Sequence, residues 1–519
     1  MRRIAPLSAA ALLLLALLLS TLAPLRASAE ELKLGIVHVN DTHGHLQPFR
    51  VHGEDGWGGF ARLRVAIQRQ RSDTGYYWLT LHAGDAFQGT PLSNLLTGFL
   101  DIECMNQMGF DAMCLGNHEF DFGYALLRGR LADANFHVLS ANIIDKERGT
   151  PVAEPYAILR RGDYRIGIIG VTTETLAAET HPKVQESITA FPAIPVAREL
   201  AGFLRSIGCD VVIALTHQGY NRDLELARQV PDIDAVVGGH SHTFLDAATM
   251  VDSEGGRRIP VTQDGCFAQN LGVLKLTFDR SAPTERFTLE SEESQFVPLK
   301  PSEPQDDGIT AFINDYAGKL DKEMSKVVCT SGMDFPVDEV RLKENPLANM
   351  VADALREVTK ADVAIFNGGN FRSGLSAGPV TFGELYQVLP YDNFLMKVKV
   401  TGAKLRDILT YAATRYGAGG FPQVSGMRLH YVDGALSDVT VGGAPLDDAA
   451  EYTLLVTDFV ASGGDGYPLK EDPYGASFTG LEQRSSFALW ASQQGTINGA
   501  TDGRVVFDWV KKPNPGLQD

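Results

Sequence analysis

The chain has 519 residues, with 46 Lys or Arg against 64 Asp or Glu and a formal net charge of −18. That sign argues against a nucleic-acid polymer as partner, because polyphosphate backbones are held by clustered Lys and Arg; small phosphorylated molecules stay open. A 44% apolar fraction with 21% charged residues is ordinary globular composition rather than disorder, and the length exceeds what one hydrophobic core usually supports, so two domains are expected.

Arg2 and Arg3 precede an apolar run over 9–19 and the small residues Ala27-Ser28-Ala29, the pattern of a cleaved secretory signal over 1–29. The run holds roughly 11–14 strongly apolar residues against the ~20 of a spanning helix, which disfavours an uncleaved anchor. No Cys follows it to take a lipid, and no later segment is long and apolar enough to span a bilayer. The mature chain is expected to be exported, periplasmic or secreted, without stable membrane insertion. Cys104, Cys114, Cys209, Cys266 and Cys329 are few, odd in number and free of CxxC pairs. Buried free thiols are expected, with one disulfide left open.

From residue 32 to about 278, short apolar runs alternate with helical patterns. Strands are expected at 34–39, 77–82, 112–115, 137–140, 166–171, 211–215 and 235–237, with amphipathic helices such as 60–70 and 196–207 between them. That alternation predicts an α/β layered domain. Pro, Glu, Ser and Asp accumulate over 281–307 and a helical stretch follows at 309–322, so the interdomain connection is placed across both. A second block over about 327–510 has helices at 347–358, 382–388 and 402–414 and strands at 363–366, 394–400 and 452–457. The expected division is 1–29 signal, 30–295 first domain, 296–325 linker with helix, and 326–515 second domain.

The chemistry of the first block sits at the ends of its strands. Asn40-Asp41-Thr42-His43-Gly44 follows the first, Gly84-Asp85 the second, Gly116-Asn117-His118-Glu119-Phe120-Asp121 the third, Thr216-His217-Gln218-Gly219 the sixth and Gly238-Gly239-His240-Ser241-His242 the seventh. Each offers Asp, His or Asn beside a glycine that permits close backbone approach, at the sheet edge where open α/β sheets bind ligands. A pair of divalent ions roughly 3.5–4 Å apart needs several protein ligands, one of them able to bridge. Asp41, His43, Asp85, Asn117, His217, His240 and His242 provide such a set.

These motifs resemble the calcineurin-like metallophosphoesterases, specifically the exported 5′-nucleotidase / UDP-sugar hydrolase family. The second block resembles that family's nucleotide domain through Arg341 ahead of Glu344, Asn345 and Asn349, Asn367-Gly368-Gly369-Asn370-Phe371-Arg372, Leu389-Pro390-Tyr391 and Gly463-Gly464-Asp465-Gly466-Tyr467. The resemblance implies a four-layer αββα sandwich and a second α/β nucleotide-binding domain joined by a helical linker, with a large relative domain rotation. It assigns Asp41, His43, His242 and Asp85 to one metal and Asp85, Asn117, His217 and His240 to the other. His118 becomes a transition-state stabiliser oriented by Asp121. Arg341 and Arg372 would clamp phosphate or carboxylate-like oxygens. Asn367 can hydrogen-bond a base edge, and Tyr391 and Tyr467 would stack on its two faces. Glu119 and His45 are polar and near the motifs, but no role follows from spacing. His82 stands where the family often has Asp and is not counted among the ligands.

The expected function is an exported two-metal phosphohydrolase releasing phosphate from nucleoside 5′-monophosphates, with Mn, Zn or Fe suiting the mixed N/O donors. Other nucleotides or UDP-sugars are further substrates to test. The alternatives are a 2′,3′-cyclic nucleotide phosphodiesterase/3′-nucleotidase, a nucleotide-sugar pyrophosphatase, a thiosulfate-releasing hydrolase, or a nucleotide-binding or adhesion protein without turnover. The partner is a small-molecule nucleotide, and the sequence assigns no oligomeric state.

Overall fold

The computed structural model describes residues 30–51, 54–180, 182–282, 284–469 and 476–509; the expected signal segment lies outside them. Two six-stranded sheets form the first block. One runs Thr288–Pro298, Asn270–Arg280, Glu30–Val39, Tyr77–His82, Ala112–Cys114, His137–Leu139; the other runs Thr249–Asp252, Arg258–Thr262, Ala235–Val237, Val211–His217, Tyr164–Thr172, Tyr156–Arg161. All seven strands expected from apolar runs are present.

Alternation along these strands builds the layers. Leu32, Leu34 and Ile36 enter the core between the sheets with Leu79, Ile166, Val211, Ile213 and Leu215. Val37 and Val39, on the opposite face, join Phe60, Leu63, Ile67, Leu100 and Met105 of the helices Phe60–Arg71 and Phe99–Met108. Val212 and Ala214 likewise pack on Ala197, Ala201 and Leu204 of helix Ala193–Ser206. The result is the expected αββα order, with the central strands buried on both faces.

Residues 281–307 differ from the expected connection. They contain the strand Thr288–Pro298, paired antiparallel with Asn270–Arg280 at the sheet's edge. Helix Asp307–Met324 follows, and it buries Ile309, Ile313 and Ala317 in the outer core of the first block. The second block begins at strand Val327–Ser331 and centres on a five-stranded sheet, ordered Pro422–Ser425, Val363–Asn367, Glu451–Thr457, Phe394–Thr401, Ala476–Glu482. Helices Pro346–Thr359 and Gln483–Gln494 cover one face; helix Gly402–Ala413 and a four-stranded sheet cover the other. All five cysteines are buried and unpaired. Among the described residues no helix is long and apolar enough to cross a membrane.

Candidate active site

Strands Glu30–Val39, Tyr77–His82 and Ala112–Cys114 run parallel to one another in one sheet, as do Val211–His217 and Ala235–Val237 in the other, so their C-terminal ends bring five loops to one edge of the sandwich. Asp41 is 0% exposed, His43 1%, Asp85 2% and His217 0%. Asp41, His43 and His242 form one group able to hold a metal ion, and Asp85, His217 and His240 another. Asp85 Oδ2 lies 3.1 Å from His217 Nε2 and 3.8 Å from His43 Nε2, so one carboxylate faces both groups. Asn117 Oδ1 is 3.0 Å from His240 Nδ1.

Backbone geometry sets these positions. Asp41, His43, Asp85, His240 and His242 all have positive φ, between 46° and 84°, a left-handed conformation uncommon for residues with a side chain and concentrated at functional sites. Gly84 has φ 89°, and a Cβ there would stand 2.6 Å from His217 Nδ1; a Cβ on Gly116 would stand 2.2 Å from Asp85 Oδ1. The glycines of these motifs are therefore demanded by the close approach of one loop to another.

The donors fit divalent cations. His217 Nδ1–H donates to Ala83 O at 2.7 Å, so in the neutral ring the Nε2 lone pair faces Asp85 Oδ2 and, at 3.9 Å, Asp41 Oδ1. Neither His217 Nε2 nor Asp41 Oδ1 has a hydrogen-bond partner. Lone pairs directed at one another require a positive charge between them. Burial lowers the pKa of His217, but the Asp85 and Asp41 carboxylates more than offset it and push it up to about 10, which expresses the same demand. His43 Nδ1–H donates to Gln88 O at 3.1 Å, leaving its Nε2 toward the cluster. Imidazole nitrogens with carboxylate oxygens suit transition ions and zinc.

His118 is grouped with His43 and Asp85 as a third set able to hold a metal ion, but each of its ring nitrogens faces a carboxylate. Its Nδ1 is 2.7 Å from Asp121 Oδ2, its Nε2 is 4.0 Å from Asp85 Oδ2, and its backbone N–H donates to Asp85 Oδ1 at 2.8 Å. Burial opposes charging, yet the Asp121 and Asp85 carboxylates raise its pKa above the usual imidazole value. The two carboxylates favour the charged ring, and its Nε2 points into the cluster.

The second block reaches this edge. Arg372 Nη2 donates to His43 Nε2 at 3.1 Å, and Tyr391 stacks on His118 with ring centroids 6.1 Å apart. Asn94 Nδ2 donates to Pro390 O at 2.9 Å while its Oδ1 accepts from Gly89 N, also at 2.9 Å. The charge of Arg341 is felt at His242, Tyr391 and Asp465. Asn367 Nδ2 donates to Asp465 Oδ2 at 2.8 Å, leaving Asn367 Oδ1 unpartnered.

Tyr391 and Tyr467 are not brought face to face as a pair. Tyr467 is 1% exposed, its hydroxyl donates to Gly420 O at 2.8 Å, and its ring meets Tyr411 edge-on. The turn that precedes it carries the ring into the core of the second block, so it presents no open stacking face here.

Several residues at the site have roles that sequence spacing does not reveal. Glu119 Oε1 accepts from Ala86 N (2.7 Å) and Phe87 N (3.1 Å), and its Oε2 from Asp85 N (3.0 Å) and Gly116 N (2.6 Å), stapling two loops together. His82 Nδ1 accepts from Gly84 N and its Nε2–H donates to Thr42 Oγ1, tying the Asp41 and Asp85 loops from behind. Burial lowers the His82 pKa to about 3, so this strut is neutral. Asn40 Nδ2 donates to Asp41 Oδ2 at 2.7 Å. His45 packs on Phe267, with centroids 4.3 Å apart.

Residues 34–244 match the family model for calcineurin-like phosphoesterases, and 317–472 that for the 5′-nucleotidase C-terminal domain. The chain is 30% identical to the 5′-nucleotidase of Homo sapiens over 95% of this chain and 94% of that one. It is 30% identical to the 5′-nucleotidase of Vibrio cholerae over 86% of this chain and 88% of that one. The solved 5′-nucleotidase precursor of Thermus thermophilus superposes with a TM-score of 0.86 at 30% identity, covering 93% of this chain and all of that one. Motifs, layers, converging loops and similarity across nearly the whole length agree: the chain belongs to the 5′-nucleotidase family, whose phosphoesterase domain implies divalent metal ions.

Proposed function

We propose that the protein hydrolyses nucleoside 5′-monophosphates to nucleoside and phosphate in a metal-dependent reaction, outside the cytoplasm. The observation that carries this reading is the meeting of the two blocks: Arg372 and Tyr391, from nucleotide-domain motifs, contact His43 and His118 in the phosphoesterase cluster. Asp41, His43, His242 and Asp85 would hold one ion, and Asp85, Asn117, His217 and His240 a second, of Mn, Zn or Fe type. When bound, such ions supply charge neutralisation at a phosphoryl group.

The chain's own residues do the rest. Arg372 and Arg341 bind phosphoryl oxygens with charge-assisted N–H donors. The His118 imidazolium, held in orientation by Asp121, donates to negative charge as it develops in the transition state. Asn367 Oδ1 is free to accept from a base edge, and Tyr391 offers an aromatic face next to the reacting group. Tyr467 then serves as scaffold beneath the glycine loop. A signal segment over 1–29 would deliver the chain to the periplasm or medium, where it would serve nucleotide salvage.

Phosphate release from AMP, UMP, ATP, UDP-glucose, 3′-AMP and 2′,3′-cAMP, each with Mn²⁺, tests this. AMP and UMP are expected to be the best substrates. Preference for 2′,3′-cAMP or 3′-AMP would replace the reading with a cyclic phosphodiesterase/3′-nucleotidase, and nucleotide binding without turnover would replace it with a binding protein.

A further inference from the structure

We propose that Glu179 is the positioning residue of His240, and that it ties the orientation of that imidazole to the contact between the two blocks. The inference rests on reading His240 as a metal ligand. Ligating imidazoles ordinarily pass their second ring N–H to a carboxylate or backbone carbonyl, which fixes tautomer and ring angle. His217 uses Ala83 O and His43 uses Gln88 O for this purpose. For His240, Nδ1 faces Asn117 Oδ1 on the cluster side, and the opposite nitrogen, Nε2, lies 3.6 Å from Glu179 Oε1. Glu179 thus stands where the partner of the second N–H belongs.

Its surroundings hold it there. The Thr175 hydroxyl donates to Glu179 Oε1 at 2.5 Å, one turn earlier in the chain. Oε2 is buried with no hydrogen-bond partner. The acid ends the short helix Leu176–Glu179, and that helix packs against Gly464–Gly466 of the second block, the glycine turn that carries Asp465. One side of the segment therefore touches the nucleotide-domain loop while its last residue touches the cluster. A shift of the loop moves Glu179, and with it the direction of the His240 donor.

The test is calorimetric titration of Mn²⁺ into the full-length chain stripped of metal, for wild type, Glu179→Ala and Glu179→Gln, with a thermal melt of each metal-free protein as the folding control. Glu179→Ala is expected to weaken one binding event about 10- to 100-fold, the usual size for such a supporting group, to leave the other unchanged, and to leave the metal-free melt in place. Glu179→Gln keeps an oxygen that accepts from Nε2–H and should regain most of the affinity. Glu179→Ala affinities within about two-fold of wild type, well below that range, would overturn this proposal alone, as would a Gln variant no better than Ala. No Mn²⁺ binding by the wild type would overturn the metal-ligand reading of the cluster, and this proposal with it.

Discussion

At Asp85 one carboxylate faces two histidine-bearing groups, so Asp85→Ala is expected to lose more metal and more activity than replacement of any other single ligand. The loss should exceed the ~10- to 100-fold that supporting residues cost, as read by metal content and AMP turnover. His118 is expected to behave differently. His118→Ala should retain metal while kcat falls roughly 10²–10³-fold, the size of one lost transition-state donor, with Asp121→Asn milder in the same direction. Metal loss in His118→Ala would make it a ligand instead. Asp101 gives a prediction on stability. It is wholly buried, accepts from Ser93 Oγ at 2.7 Å, and burial pushes its pKa up to about 7. An unfolded Asp titrates near ~3.9 and each unit of difference is worth about 1.4 kcal/mol. Between those values folding takes up a proton, so this group's contribution falls as pH rises from 4 toward 7 and is flat above. Asp101→Asn should abolish that slope in denaturant titrations across the range; an unaltered slope would assign it to other groups.

At the level of elements, the apolar runs of the first block were readable because strands buried on both faces are continuous in sequence, as in Val211–His217. The strand Thr288–Pro298 was not. It is an edge strand with one face in solvent, and its acids and serines read as a linker. Asp85 and His240 were legible as candidates because each follows a glycine where an apolar run stops, and Asp41 because it follows such a run within a motif that ends at Gly44. Glu119 and Glu179 were not, since their roles depend on which N–H groups the fold carries to them from distant segments. Tyr467 failed in the opposite way: a ring after a glycine turn resembles a ligand face, and only the packed second block reveals that it points inward. Tyr467→Ala should therefore cost stability, about 3–5 kcal/mol as for buried aromatics elsewhere, measured by denaturant unfolding. The helix Asp307–Met324 packs on helix Phe382–Val388 of the second block and buries Ile309, Ile313 and Ala317 in the core of the first block. Ile313→Ala is expected to destabilise that block by about 2–5 kcal/mol, with the second block's protection in hydrogen exchange unchanged.

Across the whole molecule, the blocks meet at the site through the Leu176–Glu179 helix on Gly464–Gly466 and through Arg372, Tyr391 and, from the first block, Asn94. Asn94 has no acid–base chemistry, and its amide bridges Gly89 N of its own block to Pro390 O of the other. Asn94→Ala removes the bond to Pro390 O across the blocks and the one from Gly89 N within the first, each worth about 0.5–1.5 kcal/mol; the loss of the first should lower kcat/KM for AMP roughly two- to ten-fold, with metal content intact. Unchanged nucleotide kinetics would mean that the blocks meet productively without it.

The left-handed backbone at Asp41, His43, Asp85, His240 and His242 carries a consequence for the chain's descendants. At each of these five positions glycine would relax the main chain, and only the need for the side chain opposes that relief. A lineage released from catalysis should therefore drift toward glycine at these positions first, becoming sturdier as it falls silent. Glycine there, in an otherwise similar sequence, would mark an enzyme that has retired.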